Sequence, residues 1–253
     1  MKNAVSILIP FHSNKTQPYL DLCLESIQRQ QGIEYEVIVF SGAPQPPTVP
    51  DWVKMYHEDK VSSYAYKINR AFEKSNQDYK YVLIAQDDLV LGKDCLKNLA
   101  EMVADGKVLL NPLSNCDNTH LYLCQFQIKD KILPRFFRMD FIEDIKEDLF
   151  NYNPGLFMAF PVNYLCTYCT MLLREAFVEL EGMDERYVNG CEDVDFCMKA
   201  KSKGMARFVT TNAFVLHFAG VTSTGAITSD MNNNNYTLLE KKWGIRRSNM
   251  NVY

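Results

Sequence analysis

The chain has 253 residues, 47% hydrophobic and 23% charged, which suits one large α/β domain or two small ones and excludes a disordered polymer. Its 27 Lys and Arg stand against 31 Asp and Glu, and a formal net charge of -4 provides no basic field to gather nucleic acid, so that class of partner is excluded. No run approaches the roughly 18 apolar residues of a membrane span. The opening stretch Met1 to Phe11, broken by Pro10, lacks the apolar core and cleavage site of an export signal, so the expectation is a soluble, cytoplasmic protein.

In chain order, Val5 to Phe11 (VSILIPF) predicts a buried strand. Leu20, Cys23, Leu24 and Ile27 recur at the spacing of one helical face. Tyr35 to Phe40 (YEVIVF) predicts a second strand ended by Ser41-Gly42, followed by a proline-rich loop from Pro44 to Pro50 and a short third strand over Val53 to His57. Ser62 to Ser75 predicts a helix with Ala65, Ile68 and Phe72 on one side, and Tyr79 to Ala85 is the most strand-like run in the chain. Asp94 is expected to cap the next helix, with Leu96, Leu99 and Val103 inward. This alternation implies a mainly parallel sheet flanked by helices.

From Asn111 to Pro161 the pattern weakens among Pro112, Pro134, Pro154 and Pro161, a stretch expected to be an acceptor-facing excursion. Regularity returns with a strand over Tyr164 to Leu173, a short helix ending at Gly182 and a helix running from Asp195 to Gly204. Strands follow around Arg207 to Thr210 and Phe214 to Phe218, then a polar tail from Ala219 that carries four asparagines, Asn232 to Asn235. Eight cysteines (Cys23, Cys95, Cys116, Cys124, Cys166, Cys169, Cys191, Cys197) read as core thiols in a chain this large. Cys166 and Cys169 have the spacing of half a zinc site, but Cys191 and Cys197 are too widely spaced to be a good second half.

Three features carry chemistry. Gln86-Asp87-Asp88 follows an apolar strand directly, at the strand end where open α/β sheets bind ligands. Adjacent carboxylates repel unless a positive group sits beside them, and a hard divalent cation, Mg²⁺ or Mn²⁺, is the natural partner. The plain alternative is a polar turn. Glu192-Asp193-Val194-Asp195, after Gly190, opens a helix, where acids favour the macrodipole and one also suits a general base. His217 ends an apolar strand, where a histidine is either a satisfied core residue or a metal ligand.

The order of these pieces resembles the family 2 glycosyltransferases, inverting enzymes of GT-A fold. The resemblance is carried by Pro10-Phe11-His12-Ser13-Asn14 after the first strand, Leu22 to Ile27 with Gln30, Ala65 to Arg70, and Gln86-Asp87-Asp88 at the metal motif. It continues through Met171 to Phe177, Glu181 to Glu185, Glu192-Asp193, His217 with Gly220 and Ser223, and Lys241-Lys242-Trp243-Gly244. It implies a single GT-A domain over residues 1–253, with a nucleotide-binding half (1–105), an acceptor-binding and catalytic half (106–225) and a C-terminal tail (226–253).

The resemblance also implies roles. Asp88 binds Mn²⁺ or Mg²⁺ with His217 as second ligand, and Asp87 contacts the ribose or supports the metal. Pro10 and Phe11 line the base pocket, with Ser41, Lys67 and Asn69 on the donor side. Asp193 is the general base and Glu192 orients the acceptor in one inverting displacement from a nucleotide-diphosphate sugar onto a glycan, lipid-linked or other hydroxyl. Lys241, Lys242, Arg246 and Arg247 around Trp243 suggest peripheral contact with an anionic membrane. Gln86 stands where the family often has Asp, and Phe40-Ser41-Gly42 stands where an acid often follows the second strand. A nucleotidyltransferase or nicotinamide enzyme is disfavoured, because no glycine-rich phosphate loop follows a strand. The rival is a degenerate, non-catalytic sugar-nucleotide or glycan-binding module.

Overall fold

Ten residues of alternating and then continuous apolar character, Lys2–Phe11, form strand β1, which is buried on both faces from Ala4 onward. A strand so enclosed needs helices above and below it, the signature of a parallel sheet. The computed structural model describes residues 1–60, 62–104, 106–115, 127–128, 131–132, 139, 142–155, 157–221 and 229–245. Ser223, Arg246, Arg247, Cys116, Cys124 and Pro134 lie outside the described residues.

After β1 come a 3-10 turn (Asn14–Thr16), α1 (Gln17–Gln28), β2 (Glu34–Ser41), β3 (Lys54–His57), α2 (Tyr64–Lys74) and β4 (Tyr79–Ala85). Ser63 caps α2 by accepting from the Tyr66 amide. Next are β5 (Leu89–Leu91), α3 (Cys95–Val103), β6 (Val108–Ser114), the short ribbon β7 (Gln127–Ile128) and β8 (Lys131–Ile132), α4 (Lys146–Asn151) and β9 (Ala159–Pro161). The chain continues through β10 (Cys169–Leu173), α5 (Arg174–Glu179), α6 (Glu192–Ser202), β11 (Ala206–His217) and α7 (Ser229–Trp243).

The main sheet runs β3-β2-β1-β4-β10-β6-β11-β5, with β9 also paired to β11. Strands β3, β2, β1 and β4 are parallel, so Phe11, Ser41, His57 and Ala85 end on the same edge. Beyond β4 the sheet is mixed. β10 is antiparallel to β4 with Cys169 opposite Ala85, so the residues before β10 arrive at that same edge. β11 is parallel to β6 and carries His217 back to it, opposite Leu89 of β5.

Several expectations need correction. Asp94 occupies the residue before α3 but sits at φ 59 and makes no side-chain capping bond. The strand expected from Tyr164 begins only at Cys169, because Tyr164, Thr167 and Tyr168 bond away from the sheet. The two strands expected after Gly204 are one, β11, with an irregularity between Thr210 and Phe214 where Asn98 of α3 donates to the Asn212 carbonyl at 2.6 Å. Val108 to Ser114 is a full strand despite Pro112, since β10 pairs with β6 only at Leu110 and the missing amide is not needed there. Among the described residues no group of three or more cysteines, histidines or acids gathers for a metal, and Cys169, Cys191 and Cys197 are buried thiols outside any disulfide.

The polar tail folds as α7. Asn235, Leu239 and Lys242 share one helical face, and Asn235 exchanges two hydrogen bonds with the Val188 backbone at 3.1 and 2.9 Å. A second, smaller core of Tyr187, Cys191, Val194, Leu239 and Ile245 lies beneath it, with Tyr164, Tyr236 and Trp243 packed against it. Among the described residues no helix is long and apolar enough to cross a membrane. At the centre of the α7 contact Asp195, fully buried, accepts from Trp243 Nε1 at 2.7 Å and pairs with Lys242 Nζ at 2.7 Å. Stripping that carboxylate leaves the indole N–H unpaired and the partly buried Lys242 ammonium with Asp184 alone, 2.8 Å away. Asp195→Ala should therefore cost about 3 kcal/mol, read as a lower urea midpoint at unchanged slope. A cost below about 0.5 kcal/mol would mean that apolar packing alone docks α7.

Candidate active site

The first acidic cluster is built on the turn that leaves β4. The Gln86 amide donates to the Tyr168 carbonyl at 2.8 Å and the Phe218 amide donates to the Asp88 carbonyl at 3.1 Å, so the turn is pinned between the start of β10 and the end of β11. Asp87 is 3% exposed and accepts from the Thr16 hydroxyl, at the start of α1, at 2.8 Å. Burial and the neighbouring Asp88 push its carboxyl up to about 8.

Asp88 is 2% exposed, and its Oδ1 has no hydrogen-bond partner among the described residues. That oxygen lies 3.3 Å from Nε2 of His217, close enough for a charge contact but outside hydrogen-bond geometry. His217 Nε2 is also 2.9 Å from Gln86 Oε1, an arrangement in which that nitrogen carries the proton. Its ring stacks on Tyr168 with centroids 5.1 Å apart, and Asn115 makes two bonds to its backbone. One carboxylate oxygen and one imidazole are donor types that a divalent cation accepts.

Beside this turn, the carboxyl ends of β1 and β2 form a second wall. Phe11 is fully buried in the main core, Pro10 is buried opposite Phe40, and Ser41 is fully buried with its hydroxyl accepting from the Ala43 amide at 3.2 Å. A Cβ on Gly42 would lie 3.0 Å from Lys67 Cε and 2.8 Å from the Lys60 carbonyl, so glycine is required for the lysine stem to pass. Lys67, 1% exposed, donates to the Ser62 carbonyl and to His12 Nδ1, 3.0 Å away. Burial lowers Lys67 to about 8 against the pull of Asp87, and burial with the lysine charge lowers His12 to about 3, so His12 is a neutral acceptor. Asn69 points elsewhere. Its amide bonds Met183 in both directions and donates to Glu185, holding the turn between α5 and α6.

The second acidic cluster opens α6. Asn189 (φ 49) and Cys191 (φ 65) adopt left-handed backbone on either side of Gly190, strain that costs of order 1 kcal/mol or more per residue and presents the acids at the helix start. Glu192 accepts from the Gly190 amide, and burial with the neighbouring Asp193 raises it to about 7. Asp193 accepts from the Tyr164 hydroxyl and from the Val194 amide at 2.8 Å; burial raises its carboxyl while the phenol opposes that rise. Asp195, two residues on and so across the helix, is turned to Trp243, Lys242 and Tyr187.

Residues 164 to 168 join the two clusters. Tyr164 meets Asp193, the Thr167 carbonyl accepts from Tyr64 at 2.6 Å, and Tyr168 holds Gln86 and stacks on His217. Tyr64 starts α2, and its phenol is raised well above its usual range by burial and by the charges of Glu192 and Asp193. Sequence reasoning assigned no role to Thr16, Tyr64, Asn115, Tyr164 or Tyr168, or to His12 within the Pro10–Asn14 turn. The available signal was the tyrosine-rich spacing around Cys166 and Cys169, which fits a strand equally well.

The chain matches the model of Glycosyl transferase family 2 over residues 6–180. No curated protein matches it. Among 387 matching chains of solved structures is the crystal structure of GalNAc-T7 with UDP, GalNAc and Mn2+, with a TM-score of 0.60 and 13% identity over 85% of this chain. The present chain spans 43% of that one, and the likeness is one of fold, a GT-A-type mixed α/β sheet flanked by helices.

Glu192 provides a test of the electrostatics. A raised carboxyl gives stability that is present below about 4.5 and lost as pH climbs toward 7. Glu192→Gln should abolish that decline and leave the variant more stable than the parent at pH 8, by about 1–3 kcal/mol in urea melts. Parallel pH profiles for the two proteins would show that Glu192 is not strained by its burial.

Proposed function

The chain belongs to glycosyl transferase family 2, and from that premise we propose that it moves a sugar from a nucleoside-diphosphate donor to an acceptor hydroxyl, with inversion at the anomeric carbon. The observation that carries this reading is the buried Asp88 Oδ1, unbonded and facing His217, on the same edge of the sheet as the cluster around Asp193. A lone anionic oxygen at 2% exposure is expensive unless a cation joins it.

Asp88 and His217 are the residues that would hold Mn²⁺ or Mg²⁺, which supplies charge neutralisation to the departing diphosphate. Asp87, tied to Thr16, supports that turn. Lys67 and His12 stand next to it as a buried donor and acceptor pair, with Pro10, Phe11 and Ser41 shaping the wall behind. Asn69 acts at a distance, by fixing the turn that leads to Glu192. Asp193 takes the proton from the acceptor hydroxyl as that oxygen attacks, and Glu192 orients the acceptor. A carboxyl raised above its ordinary value is better matched to that task than an exposed one.

The acceptor is a glycan, a lipid-linked sugar or another hydroxyl compound. The GalNAc-T7 structure, solved with UDP, GalNAc and Mn2+, supports a nucleotide donor and a divalent ion for this fold. Peripheral membrane contact through the tail draws less support. Lys242 is taken by Asp184 at 2.8 Å and Asp195 at 2.7 Å, which among the described residues leaves Lys241 as the exposed cation beside Trp243.

One observation favours the non-catalytic alternative. Gln86 Oε1 lies 2.9 Å from the His217 nitrogen that would otherwise face the cation. Under the catalytic reading the glutamine side chain must rotate away to free that nitrogen.

Thermal melts with UDP, GDP, CDP and dTDP, each with and without Mn²⁺, separate the two. Ligand at about 100 times its dissociation constant adds roughly 2.7 kcal/mol of apparent stability. The expected result is a metal-dependent shift with one nucleotide that disappears in Asp88→Ala. With the matching sugar nucleotide, Asp193→Asn should cut kcat by about 10²- to 10⁴-fold while leaving that shift intact. A nucleotide shift without any turnover in the parent protein would move the assignment to a binding module, and full activity in Asp193→Asn would remove the base.

A further inference from the structure

We infer that Tyr164 is the positioning residue for Asp193: its hydroxyl holds one carboxylate oxygen of the base in place and keeps the base ionised at the start of α6. The inference rests on reading Asp193 as the base. Both carboxylate oxygens are engaged, Oδ1 by the Val194 amide at 2.8 Å and Oδ2 by the Tyr164 phenol, which fixes the side chain in one orientation.

Tyr164 is itself held from several directions. The Leu165 amide and carbonyl meet the Cys197 thiol at 3.3 and 3.4 Å, one helical turn beyond Asp193, so α6 presents Asp193 and Cys197 together to this segment. The Asn163 carbonyl accepts from Arg207 at 3.1 Å, and the Tyr164 ring packs against the core that α7 closes. The Cys166 thiol approaches the phenol oxygen at 3.6 Å. A tyrosine that only filled space would not require its hydroxyl on the carboxylate.

The charge argument runs the same way. Burial favours a protonated Asp193, and Glu192 on its own helix adds like charge; among the described residues Tyr64 from α2, Tyr164 and Cys166 from the joining segment and Cys197 from α6 are its other titratable neighbours. None of these brings positive charge. Neutral donors to the ionised form are therefore what stand against desolvation, and Tyr164 is the foremost of them, ahead of the Val194 amide and the Cys166 thiol.

The test uses the whole chain with ¹³C-carboxyl aspartate, the Asp193 resonance being identified by its loss in Asp193→Asn. Tyr164→Phe keeps the ring and removes the hydroxyl, and the Asp193 midpoint should rise by about one to two pH units. Installing 3-fluorotyrosine at position 164, a stronger donor of nearly the same shape, should move the midpoint down and guards against a Phe variant that fails to fold. With the sugar nucleotide found by melting, the acid limb of kcat/KM should move with the titration while donor KM stays constant. An unmoved midpoint in both variants, with Asp193→Asn inactive, overturns this inference alone. Turnover retained in Asp193→Asn overturns the base assignment on which it rests.

Discussion

Asp87 and Asp88 sit side by side at 3% and 2% exposure where β4 leaves the sheet, and the repulsion between two desolvated carboxylates governs what surrounds them. The fold meets the two in different ways. Asp87 has a hydroxyl from Thr16 and the nearby charge of Lys67, whose stem passes Gly42 to bond His12 and the Ser62 carbonyl. Asp88 has His217 at 3.3 Å and an oxygen with no hydrogen bond among the described residues. One carboxylate is thus hydrogen-bonded from within the protein, while its neighbour keeps one oxygen unbonded among the described residues. That asymmetry distinguishes the turn from a merely polar strand end.

A comparable division separates the acids of α6. Glu192 and Asp193 face the joining segment and the start of α2, whereas Asp195 faces α7. The helical period turns Asp193 and Asp195, two apart, to nearly opposite sides, while Glu192 at the first helical position folds back onto the Gly190 amide. Three carboxylates in one turn that look equivalent as text are therefore two different devices. Asp195 is a structural anchor whose partners, Trp243 and Lys242, belong to the Lys-Lys-Trp-Gly pattern of the tail. The tail residues suggested as membrane-facing serve in part to fix the acidic loop.

Much of the first half was legible because a buried parallel strand must be continuously apolar, and VSILIPF, YEVIVF and YKYVLIA have few other uses. The first two helices were legible from their spacing. The direction of β10 was not, since apolar alternation is the same for parallel and antiparallel strands. Pro112 hid β6, because only the tertiary fact that β10 pairs at Leu110 makes a proline harmless there. The asparagines hid α7, whose inward face is as narrow as Asn235, Leu239 and Lys242. At the site, the residue types that announce chemistry were read directly, while Tyr164, Tyr168, Tyr64 and Thr16 were not, because tyrosine and threonine carry no positional signal until their partners are known.

Those unannounced residues decide how the two clusters are related. Gln86 is tied to the Tyr168 carbonyl and Asp193 to the Tyr164 side chain, so the span between the clusters is set by five residues of main chain rather than by a long flexible contact. The span is braced midway by Tyr64 on the Thr167 carbonyl and at its far end by the Leu165–Cys197 contacts. Positions of reacting groups matter at the level of an ångström, and a short, hydrogen-bonded, largely buried segment can hold that tolerance where a loop of independent side chains cannot. The antiparallel entry of β10 makes this arrangement available: it delivers the chain to the carboxyl edge of the parallel strands just before pairing begins, with five residues to spend between the acids.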